Sequence, residues 1–238
     1  MNSSDFAVAF VSGLVPALFW LWFWLREDKE KPEPWGMIFL AFAAGMIAVP
    51  IVLPLQQLAM ELYHGDNLVF VWVIIEEVLK YAVALIVVLW HKAVDEPIDL
   101  IIYMIVIALG FSALENALFI FHPLTTDTLA NTFITSNFRF LGATLLHVLS
   151  SGTVGAMLAL AFYKPDGVKI IYGSIGLFMA IVLHALFNFF IIDASGETIL
   201  GIFLFVWLGI IMLFLVFEKV KLLEARYGSP FISNIKRK

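Results

Sequence analysis

Leu68 to Trp90 reads LVFVWVIIEEVLKYAVALIVVLW, apolar almost throughout, with Glu76, Glu77 and Lys80 set near its middle. At about 1.5 Å of rise per residue, a helix of this length covers the roughly 30 Å of a bilayer's hydrocarbon core. The stretch therefore predicts a transmembrane helix carrying three charges that the bilayer disfavours.

Outward from it, the rest of the chain has the same character. Of its 238 residues, 62% are hydrophobic and 14% charged, and the mean hydropathy is +0.99. A water-soluble fold of this size has too little polar surface to cover so much apolar material. Seven apolar segments can be marked, at about Phe6–Leu25, Trp35–Leu62, Leu68–Trp90, Leu100–Phe121, Phe138–Tyr163, Val168–Ile192 and Ile199–Phe217. The second contains Pro50 and Pro54, which predict a kink, and a Thr-rich loop from Pro123 to Ser136 precedes the fifth. The expected fold is all-α, a polytopic membrane helix bundle of about seven transmembrane helices forming a single domain over 1–238. Its motif-bearing core covers about 68–192, and 218–238 form a basic cytoplasmic tail.

Lys and Arg set the orientation. Of the fourteen, all but Lys80 and Arg139 fall on one side of a seven-span arrangement, in the loops after the first, third and fifth segments and in the tail. That places the N-terminus outside and the C-terminus in the cytoplasm, whereas six or eight spans would scatter the charges. Met1 to Asp5 carries no positive residue, so a cleavable leader is not expected. The net charge of −5 is uninformative overall, and no nucleic-acid partner is expected. The absence of cysteine excludes thiolate chemistry.

Ionisable groups within a bilayer each need an account. Besides Glu76, Glu77 and Lys80, there are Glu115 and Asn116 in the fourth segment and His147 with Ser150 and Ser151 in the fifth. The sixth carries His184 and Asn188. Counted at about 1.5 Å per residue from the outer end of each segment, Glu76, Glu77, Glu115, His147 and His184 all lie about 9–14 Å deep. Single membrane Asn, His or Glu–Lys features are often helix-association devices, but such devices have no reason to agree in depth on four helices. Lys80 lies i+4 from Glu76 and i+3 from Glu77 and can neutralise one of them. The two glutamates point about 100° apart and are not expected to share one task. His64, His91 and His122 fall at interfaces and read as solvated.

Two mechanisms suit such a cluster. Either a divalent metal, zinc first, sits on Glu77 or Glu76 with the histidines (Glu77, His147 and His184 being the candidate ligands) and activates water, or a carboxylate acts as general base while His and Asn stabilise an oxyanion. Residue reading alone stops at a hydrolase or a proton- or cation-coupled transporter. A zinc-dependent hydrolase of lipid amides is a further alternative.

The ordered set Glu76-Glu77-x-x-Lys80, Phe111-x-x-x-Glu115-Asn116, His147-x-x-x-Ser151 and His184-x-x-x-Asn188 resembles the PrsW family of intramembrane proteases. That family is related to the CAAX prenyl endopeptidases and bacterial Abi proteins. The resemblance implies an endopeptidase in a bacterial or archaeal plasma membrane. Its substrate would be a membrane-spanning or membrane-anchored protein such as an anti-sigma factor, cut near the outer leaflet. It makes Glu76, Glu77, Glu115, His147, His184 and Asn188 the catalytic set, with Lys80, Asn116 and Ser151 in support. Glu115 stands where the CAAX relatives carry histidine, which leaves His147 as the candidate partner in water activation. Relatives of the family look glutamate-dependent, which tips the balance narrowly against a tightly bound catalytic metal.

Overall fold

The structure, a computed structural model, describes residues 3–27, 31–126, 142–192 and 196–227. Lys29, Arg139, the expected start of the fifth segment at Phe138, most of the Thr-rich loop and Lys236 to Lys238 lie outside the described residues.

Seven helices are described: α1 (Ser3–Leu25), α2 (Trp35–Leu62), α3 (Gly65–Val87), α4 (Pro97–Thr126), α5 (Thr144–Leu160), α6 (Asp166–Ile192) and α7 (Gly196–Tyr227). Five are long and apolar enough to cross a membrane; the exceptions are α3, which bears the charges, and α5, with 17 residues. Large apolar side chains such as Phe39, Ile86, Phe178 and Leu208 point outward around the bundle. A surface of that kind suits lipid and not water.

Helix ends depart from the apolar boundaries because local hydrogen bonding sets them. α3 starts and stops three residues early, since Gly65 takes φ +56° behind His64. α4 begins at Pro97, a residue suited to the first helical position. Asp99 Oδ2 accepts the backbone N–H groups of Asp95 and Glu96 there, at 2.9 and 2.8 Å. α7 runs on to Tyr227, past the apolar limit at Phe217, where Lys221 bonds to Glu218 one turn back at 2.9 Å. α2 continues through Pro50 and Pro54.

α4 is the axis of the bundle. Of its most apolar stretch 94% is buried, against 22% for α1 and α7, as expected for a helix apolar on every side. It packs against α1, α2 and α5 above all. In lipid, close backbone approach replaces the hydrophobic drive that holds soluble helices together. At the α2–α4 crossing, a Cβ on Gly45 would strike the Ile107 carbonyl, and one on Gly110 would strike that of Phe42.

A candidate active site between four helices

α3, α4, α5 and α6 converge around one polar cluster. Glu76 and Glu77, adjacent on α3, face different neighbours, as the helical rotation of about 100° per residue requires. Glu77 is 1% exposed and turns toward α5 and α6. Its Oε1 accepts three hydrogen bonds, from Lys80 Nζ at 2.5 Å, His184 Nδ1 at 2.6 Å and Ser150 Oγ at 3.1 Å. A carboxylate so saturated, with an ammonium in contact, is held as an acceptor. Lys80 is fully buried; its ammonium also lies 3.0 Å from His147 Nδ1 and sits 5.1 Å over the Phe111 ring. His147 Nε2 is 3.0 Å from Glu115 Oε2 on α4. The two imidazoles meet edge to face with centroids 5.0 Å apart.

Glu76 faces a cavity of about 430 Å³ whose polar wall consists of Gln56, Glu76, Glu115, His147, His184 and Asn188. Trp72, Phe111, Phe119, Phe187 and Phe203 supply much of the apolar remainder. Gln56 Nε2 donates to Glu76 Oε1 at 2.8 Å, and the backbone oxygen of Gln56 accepts from Trp72 Nε1 at 3.1 Å. The other oxygen, Glu76 Oε2, is buried, has no hydrogen-bond partner among the described residues, and lies 3.8 Å from His184 Nε2.

All six residues expected to be catalytic thus gather in one place, and Lys80 pairs with Glu77. One donor atom each from Glu76, His147 and His184 lies within 4.8 Å of the others, so that group could hold a metal ion; Glu77 Oε1 already serves three donors. Ser150 contacts the cluster in place of Ser151, whose buried hydroxyl has no partner among the described residues. Asn116 belongs to an interhelical link, donating to Ser112 Oγ at 3.1 Å and Thr144 Oγ1 at 2.9 Å, which ties α4 to α5. Gln56 lines the cavity and holds Glu76; its one sequence signal is an amide two residues past Pro54 in an apolar run. The exposed His64 and His91 stand apart from the site.

These residues fit a divalent metal in the chemistry of their donors. Glu76 Oε2 is an orphaned buried carboxylate oxygen, and His184 gives its second nitrogen to a carboxylate, as metal-bound histidines commonly do.

A family model described as PrsW family intramembrane metalloprotease matches residues 33–217. Proteins named Protease PrsW are similar over most of their length. That of Oceanobacillus iheyensis is 23% identical over 85% of this chain and 92% of its own. That of Bacillus subtilis is 25% identical over 82% and 89%, and that of Clostridioides difficile 25% over 96% and 97%. No solved structure matches the chain.

Proposed function

The chain belongs to the PrsW family of intramembrane metalloproteases, and on that premise we propose that Glu76 is the general base for peptide-bond hydrolysis near the outer face of a bacterial plasma membrane. The carrying observation is the orphaned Oε2 of Glu76, buried at the cavity wall beside His184 Nε2. The transporter and lipid-amide readings have no support in the relatives.

Water in the cavity would give a proton to Glu76 Oε2 as its oxygen attacks the scissile carbonyl carbon. The proton would then pass to the departing amine as the C–N bond breaks. Glu77 holds His184 by Nδ1, so His184 Nε2 offers a lone pair that orients the water. The Asn188 amide is the donor available to the oxyanion, since the Nε2–H of His147 is given to Glu115 Oε2. Glu76, His147 and His184 would hold a metal, which when bound would supply Lewis acidity and a more acidic water. The substrate in this reading is a membrane-anchored protein of the anti-sigma-factor kind that the family resemblance implies. Its scissile bond would lie about 9–14 Å below the outer surface.

The test is cleavage of such a substrate by full-length protein in liposomes. Glu76→Gln keeps the side-chain shape and should lower the rate by about 10²–10⁴-fold with the thermal transition retained. Cleavage at the wild-type rate would remove Glu76 from the mechanism.

A further inference from the structure

The two histidines of the metal-ligating set are wired in opposite senses. His184 donates from Nδ1 to the Glu77 carboxylate, so in its neutral form Nε2 carries a lone pair. His147 Nδ1 instead faces the Lys80 ammonium at 3.0 Å. An ammonium has only hydrogens to give, so Nδ1 must accept. Neutral His147 therefore carries its single proton on Nε2, where Glu115 Oε2 receives it at 3.0 Å. Lys80 is 0% exposed and bound to Glu77 at 2.5 Å, which holds its ammonium beside His147. Metal-bound histidines usually donate their second N–H to a carboxylate or carbonyl. Lys80 stands where that acceptor would be.

We propose that Lys80 is a positioning residue that fixes the His147 proton on Nε2 and so holds metal affinity at the Glu76–His147–His184 set low. The proposal rests on the reading of this cluster as the protease site. Lys80 then keeps His147 as a donor to Glu115 at the cavity wall and leaves Glu76 and His184 to water.

Full-length protein in lipid nanodiscs would be titrated with Zn²⁺ against a chromophoric chelator, as wild type, Lys80→Gln and Lys80→Arg. The Gln carbonyl can accept from a proton on Nδ1, which frees Nε2 as a ligand, whereas Arg can only donate. Lys80→Gln should bind zinc about 10–100-fold more tightly than wild type, and Lys80→Arg should match wild type. Equal or weaker binding by Lys80→Gln overturns the proposal. Should Lys80→Gln fail to fold, nitrogen NMR of the His147 ring in the zinc-free wild type decides. A proton on Nε2 supports the assignment and one on Nδ1 overturns it. Neither readout depends on turnover, so a zinc gain in Lys80→Gln alongside a wild type inert to membrane-anchored substrates would count against the protease reading alone.

Discussion

Adjacent in the chain, Glu76 and Glu77 differ because one oxygen is left over and the other is fully used. Glu77 Oε1 receives an ammonium, an imidazole N–H and a hydroxyl, whereas Glu76 receives one amide and keeps Oε2 at the cavity wall. Removing the charge of Glu77 leaves Lys80 buried without its counter-ion. Breaking one side of a buried ion pair costs about 3–5 kcal/mol, whereas an apolar replacement of both can be neutral. Glu77→Gln should therefore lower stability by about that amount in thermal unfolding, and Glu77→Gln with Lys80→Met should recover part of it. A double variant less stable than the single one would show that the pair contributes otherwise. This division between the glutamates was half legible. Helical rotation says that neighbours point about 100° apart, but not which one faces the cavity, because the absolute rotation of α3 depends on its packing. The same ambiguity put Ser151 where Ser150 stands.

At the scale of elements, apolar runs located all seven helices, and their ends moved by a few residues wherever a cap, a turn glycine or a polar pair set the boundary. Hydropathy carries no information about such local bonds, which is why α7 runs ten residues further than its apolar stretch. What positions the site is the tight seating of α2 on α4. Gly45 lies on the same helix as Gln56, about three turns away, so a shift of α2 at the crossing moves the amide that holds Glu76. Gly45→Ala places a Cβ against the Ile107 carbonyl, backbone that cannot turn aside. It should cost about 1–3 kcal/mol and slow cleavage. Gly36→Ala, on the same helix with nothing within 4 Å of the added carbon, should stay within about 0.5 kcal/mol of wild type. Equal effects at the two glycines in thermal unfolding would dissociate the crossing from stability.

For the whole molecule, the depth of the site gains meaning only with an orientation. Five helices qualify as spans on length and composition. α3 misses because it carries the site's own charges, and α5 is short; both are nonetheless packed against their neighbours within the bundle. Counting them gives seven spans, and the distribution of Lys and Arg then favours an outside N-terminus. In that arrangement the α2–α3 turn, near which Glu76 lies, faces outward, and the α3–α4 and α5–α6 connections face the cytoplasm. The chain has no cysteine, so any introduced thiol reports by itself. Asp66, Lys92 and Lys164 are exposed in or beside those connections. In intact cells a membrane-impermeant maleimide should label Asp66→Cys and spare Lys92→Cys and Lys164→Cys, with all three labelled after permeabilisation. The reverse pattern would put the cavity in the inner half of the bilayer and require a substrate cut on its cytoplasmic side. Labelling of Lys92→Cys together with Asp66→Cys in intact cells would mean that α3 does not cross. The charges of Glu76, Glu77 and Lys80 would then lie in a re-entrant segment.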